Sequence, residues 1–132
     1  KVFEDAYIRL KKAGLTVIVH TILWLPGESK EMMKKTAAYL ADLSPALDGI
    51  KFQLLQVLRG TKMENEYKRN PWPLPSMDEY CIFVKGLADM MPGTTALHRL
   101  TGDGPKSLLI EPAWCADKRA VLNAMKKYFD LE

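Results

Sequence analysis

Apolar side chains at Phe3, Ala6, Tyr7 and Leu10 recur at helical spacing with charges on the opposite face, and Gly14 supplies a stop, so the pattern predicts a helix over 3–13. The period then changes. Thr16 to Leu25 is apolar and β-branched on both faces, which suits a strand covered by helices on one side and facing the inside of a barrel or sheet on the other. Leu25-Pro26-Gly27-Glu28 forms the turn. A Met-, Ala-, Leu- and Lys-rich helix opens at Glu28 to Glu31, runs to about Leu43 and stops near Ser44-Pro45. Gly49 to Leu58, nearly continuous in apolar residues, reads as a second strand. This β-α-β order implies parallel neighbours, a right-handed crossover and strand ends that point the same way.

Beyond it, Arg59-Gly60-Thr61 turns into a short helix over Lys62 to Lys68, and Asn70 to Pro75 is a stiff extended connector. Ser76 with Glu79 three residues later forms a capping-box pattern at the start of a third long helix, which Pro92-Gly93 ends. Thr94 to Leu100 reads as a third strand, Thr101 to Pro105 as a polar glycine-rich loop, Leu108 to Ile110 as a short apolar piece, and Asp117 to Leu131 as a final amphipathic helix. The fold class is therefore α/β. Two parallel units are too few for a closed barrel of about eight strands, and hydrophobic edge strands are an aggregation hazard in a free domain. The expectation is either a compact open sheet, self-associating through its exposed strand edges, or dependence on residues outside this chain. The start at Lys1, inside a helix and without Met, favours a segment of something larger.

With 132 residues, 48% hydrophobic and 27% charged, the chain has the composition of one ordinary globular domain. A net charge of +3 is well short of the Lys/Arg density of a dedicated nucleic-acid module. No apolar run reaches the roughly 18 residues of a membrane span and no leader pattern opens the chain, so a cytoplasmic protein without membrane contact is expected. Cys81 and Cys115 lack the close spacing of zinc or iron–sulfur sites and read as free thiols; with His20 and His98 as the other soft ligands, no metal site is expected from this chain.

Several residues carry potential chemistry. The Leu25 to Glu28 turn allows a ligand close to backbone amides at a helix start, and equally reads as a plain βα turn. No GxGxxG or Walker lysine pattern is present. His98, Arg99 and Asp103 fall at a strand end, where they suit anion binding and proton relay, or an Arg99–Asp103 pair that fixes the loop. His20 lies mid-strand, as a core or lumen-facing histidine would. Gln53 and Gln56 in a buried strand need hydrogen-bond partners, and a ligand is one source. Trp24, Trp72 and Trp114 suit stacking on a base or plain packing.

Four blocks, VHTILWLPGE at Val19–Glu28, GIKFQLLQVLRGT at Gly49–Thr61, HRLTGD at His98–Asp103 and LLIEPAW at Leu108–Trp114, together resemble the C-terminal part of radical S-adenosylmethionine proteins. The likeness is to the YhcC-like iron–sulfur oxidoreductases, related in their barrel to the elongator catalytic subunit. It implies the last βα units of a partial (β/α) TIM-type barrel over residues 1–75 and a small α/β C-terminal extension over 76–132. It also implies a parent enzyme whose N-terminal half, absent here, carries a CxxxCxxC loop holding a [4Fe–4S] cluster that cleaves S-adenosylmethionine to a 5′-deoxyadenosyl radical. Neither cofactor is expected on this segment alone.

On this resemblance Trp24, Pro26, Gly27 and Glu28, with the backbone of Gln56, Val57 and Leu58, contact S-adenosylmethionine. Gln53, His98, Arg99 and Asp103 face substrate or close the barrel, and RNA is a candidate substrate. Three positions depart from the family: Trp24 stands where Gly is common, and Gln53 and Gln56 where His is. The competing readings are a stand-alone α/β ligand- or protein-binding module without catalytic activity and, less well supported for want of a nucleophile elbow or paired carboxylates, a self-contained hydrolase.

Overall fold

Tyr7 turns inward from helix α1 (Val2–Lys12) and donates from its hydroxyl to Pro45 O at 2.6 Å, tying the first helix to the start of the second βα unit. The computed structural model describes residues 1–130. After α1 the chain forms β1 (Ile18–Leu23), α2 (Lys30–Ala41), β2 (Gly49–Leu54), β3 (Val57–Leu58), α3 (Lys62–Arg69), α4 (Met77–Asp89), β4 (Ala96–Arg99), β5 (Leu109–Glu111) and α5 (Lys118–Tyr128). Ser29, Thr61, Ser76 and Asp117 each cap the helix that follows by accepting from a backbone N–H with the side-chain oxygen.

Strands β1, β2 and β4 form one parallel sheet with β2 in the middle, and the β1–β2 pair is the one that the β-α-β reading predicts. Val19, Thr21 and Leu23 lie beside Ile50, Phe52 and Leu54 on the face that the helices cover. Met33, Ala37 and Leu40 of α2 and Tyr80, Val84 and Leu87 of α4 pack there, and Met125 of α5 completes a core reaching back to Tyr7. The opposite face, with Ile18, His20 and Ile22 beside Gly49, Lys51 and Gln53, has no helix on it among the described residues. Among the same residues the outer edges of β1 and β4 are unpaired.

Three expectations need correction. The second strand does not run from Gly49 to Leu58: it ends at Leu54, and Val57–Leu58 pairs antiparallel with β5 in a separate two-stranded sheet. An apolar run cannot report a change of partner, and the break falls at Leu55-Gln56, where the Gln56 side chain leaves for the glycine-rich loop. The capping box at Ser76 is half formed. Ser76 Oγ accepts from Glu79 N at 3.2 Å, but the Glu79 carboxylate pairs across to Lys30 of α2 at 2.9 Å. Finally, α5 stops at Tyr128, and Leu131 lies outside the described residues. No helix among the described residues is long and apolar enough to cross a membrane.

Candidate functional site

Because β1 and β2 are parallel and in register to Leu23–Leu54, with Leu55 N donating to Leu23 O at 3.0 Å, their C-terminal ends lie side by side. Ligands of α/β sheets bind outside such ends. The turn after β1 is held by its own residues: Glu28 Oε2 accepts from Leu25 N at 3.1 Å and Glu28 N donates to Leu25 O at 2.9 Å. Gly27 sits at φ 78°, and a β-carbon there would meet nothing within 4 Å, so its backbone is open to approach.

Trp24 has φ 62°, a left-handed conformation that is strained for a bulky residue. This is the backbone that a glycine at this position of related turns would adopt without strain. The indole is turned into the core, 5.0 Å from the Phe83 ring and 5.8 Å from Tyr80, and is 8% exposed. Any ligand contact from position 24 therefore falls to its backbone rather than to stacking.

On the open face His20 Nε2 donates to Gln53 Oε1 at 2.5 Å, which supplies the partner Gln53 requires. His98 comes to the same face by a bulge: Leu97 and Arg99 lie beside Ile50 and Lys51, leaving His98 as the extra residue. Its imidazole lies over Gly49. The three strands hold no Asp or Glu, so the polar groups of this face are imidazole, ammonium and amide.

Gln56 has a different fate. Its Oε1 accepts from Gly104 N at 2.9 Å, and Gly102 and Gly104 leave the space its carboxamide occupies. Tyr80 Oη donates to Leu100 O at 2.7 Å, fixing the other end of the loop. Val57 and Leu58 are committed to β5, and Arg59 N donates to Leu108 O at 2.7 Å. Asp103 pairs with Lys118 at 2.5 Å, not with Arg99 as the loop-fixing reading has it; that hydrogen bond first, and the charges of Lys118 and Arg99 with it, hold the carboxyl below its ordinary range. Gln53 lies on the open face, and His98, which reaches over Gly49 there, also lines with Arg99 and Asp103 a cavity of about 490 Å³ between β4 and α5.

Sequence reasoning missed this cavity, whose other walls include Trp114, Cys115 and Lys118. The available signal was Leu122, an apolar residue off the buried Val121–Met125 stripe of α5. Trp114 is anchored by its Nε1, which donates to Pro75 O at 2.9 Å. The Cys115 thiol is pushed up to about 11 by burial, with a Gln56 hydrogen bond pulling the other way. Burial also pushes Cys81 up to about 11.

Residues 47–130 match the family described as the Radical_SAM C-terminal domain. The chain belongs to that family. It is 40% identical over 125 residues to YtqA of Bacillus subtilis, covering 95% of this chain and 38% of that protein. To YhcC of Escherichia coli it is 22% identical over 120 residues, covering 91% and 38%. Its fold is similar to that of the archaeal Methanocaldococcus infernus Elp3 with an N-terminal deletion, at a TM-score of 0.70 and 24% identity, over 93% of this chain and 29% of that one. The chain spans little more than a third of the length of these curated relatives.

Radical S-adenosylmethionine membership raises two groups to test against these residues. A [4Fe–4S] cluster does not fit: among the described residues no three His, Cys, Asp or Glu side chains gather, and both thiols are held protonated by burial. For S-adenosylmethionine the residues present offer the open backbone of Gly27. Beside Pro26 lies a hollow of about 260 Å³ lined by Glu66, Arg69, Asn70 and Trp72, and the buried Trp72 Nε1 has no acceptor among the described residues. A buried donor left without an acceptor beside such a hollow is suited to a bound group.

Proposed function

We propose that this chain forms one wall of the reaction chamber of a radical S-adenosylmethionine enzyme. The observation that carries it is the pairing of a helix-covered sheet face with an open one, on which the His20–Gln53 pair lies within three residues of adjoining parallel strand ends. The Pro26-Gly27-Glu28 turn, the backbone of Trp24 and the edge of Gln56 to Leu58 turned away from β5 would hold S-adenosylmethionine. Gln53 and His98 would meet substrate, with Arg99 and Asp103 at the loop end. When bound, the cofactor pair supplies a 5′-deoxyadenosyl radical. The residues of this chain bind and orient: His20 holds the Gln53 carboxamide in one direction, and the apolar Ile18 and Ile22 beside them limit water. A face without carboxylates supports an anionic substrate, for which RNA is the candidate, and filter retention that falls with salt is its test.

The main test uses the full-length protein, reconstituted anaerobically with iron and sulfide. A [4Fe–4S] absorption spectrum and 5′-deoxyadenosine after reduction are expected. Gln53→Leu should keep the spectrum and lower 5′-deoxyadenosine formation or its coupling to product. Absence of both spectrum and 5′-deoxyadenosine from the parent protein overturns the proposal.

A further inference from the structure

The cavity between β4 and α5 opens on the helical side of the sheet, away from His20 and Gln53. Its floor is core: Leu54 and Tyr80 are fully buried, and Val121 and Met125 nearly so. Its mouth is not. Leu97 on the edge strand and Leu122 on α5 both line it, yet they remain 40% and 55% exposed. A hollow of about 490 Å³ is the size of a small-molecule site.

The charges at the mouth are unequal. Arg99, Lys118 and Lys126 stand against one carboxylate, Asp103, and Lys118 already engages it. Arg99 and Lys126 make no ion pair among the described residues. An apolar hollow with two uncommitted cations at its rim complements a molecule that has an apolar body and an anionic head.

We propose that this cavity binds a small amphipathic anion, such as a medium-chain carboxylate, with the chain against Leu97, Leu122 and the Trp114 ring and the head on the Arg99 guanidinium. This second site shares His98, Arg99 and Asp103 with the loop end of the proposed chamber, but the anion binding argued here does not rest on the radical reading.

The test is calorimetric titration of the full-length protein with decanoate, decanol and decyltrimethylammonium, which share a chain and differ in head charge. Decanoate is expected to bind roughly tenfold tighter than decanol, as one charge-assisted contact provides, and the ammonium weakest. Arg99→Gln should bring decanoate down to the affinity of decanol while leaving decanol unchanged. Leu122→Glu, on an exposed helix position that leaves the core intact, should abolish decanoate binding with no change in thermal midpoint. Equal affinities for the three probes, no saturable decanoate binding at millimolar concentration, or decanoate affinity untouched by both substitutions overturns the proposal. Because the readout is binding, its failure leaves the 5′-deoxyadenosine result standing, and the reverse.

Discussion

A β-carbon on Gly49 would lie 2.5 Å from Cδ2 and 2.7 Å from Nε2 of His98, so glycine at the start of β2 is what lets the imidazole lie across the open face. Real β-carbons do not approach that closely, and the alternative is to displace the ring or the bulge that carries it. Because the imidazole is exposed and can swing aside, Gly49→Ala should displace it at a cost of at most about 1 kcal/mol in urea unfolding. His98→Ala should relieve most of that loss when combined with it, giving a non-additive double-mutant cycle. Additive losses would show that the two residues do not share the space.

Most of the scaffold was legible because its signals are local. The helical period at Tyr7 and Leu10, the cap at Ser76 and the apolar strands around Ile50 and Phe52 depend on near neighbours in sequence. What was not legible depends on distant partners. Gln56 leaves the strand run because two glycines nearly fifty residues later make room for its carboxamide. Glu79 abandons its box for Lys30, and Asp103 takes Lys118 from another helix in preference to its near neighbour Arg99. The open face was anticipated in kind, as the lumen side of a strand pair. Its central pair was not, since nothing in local spacing matches His20 with Gln53; only the parallel register does.

Trp24 sets two large effects against each other. Its left-handed backbone is strained by about 1–2 kcal/mol relative to glycine. Removing the buried indole costs about 3–5 kcal/mol in lost packing against Tyr80 and Phe83. Trp24→Gly should thus lower stability by about 1–4 kcal/mol, the difference of the two. A rise in the urea midpoint would mean that the strain dominates.

Gln56 and Cys115 can be read through the thiol. With burial pushing Cys115 up to about 11, alkylation by iodoacetamide should be slow near neutrality and accelerate about tenfold per pH unit toward alkaline pH. Gln56→Leu removes the hydrogen bond that favours the thiolate, so the pH profile should move further upward. The same change leaves Gly104 N without its acceptor, and stability should fall by about 1–3 kcal/mol. A Cys115→Ser control assigns the signal, since Cys81 is closed in the core. A downward shift of the profile would contradict the hydrogen-bond role.

Asp48 joins the first helix to the sheet, accepting from Lys11 Nζ at 2.6 Å and from Val17 N at 2.8 Å. The Lys11 hydrogen bond, and after it the Val17 amide, holds this carboxyl below its ordinary range. A group whose pKa is lower folded than unfolded contributes stability that is fully present above the unfolded value and is lost as pH falls through the folded one. Asp48→Asn keeps an acceptor for Val17 N but abolishes the charge facing Lys11. The gap in urea midpoint between parent and variant should therefore be widest near pH 7 and close as acid carries the parent through the Asp48 titration. Because the pair is partly exposed, added salt should narrow the neutral gap as well. A gap that stayed constant from neutral to acid pH would remove the ion pair as the source of the effect and leave only the hydrogen-bond geometry at Val17.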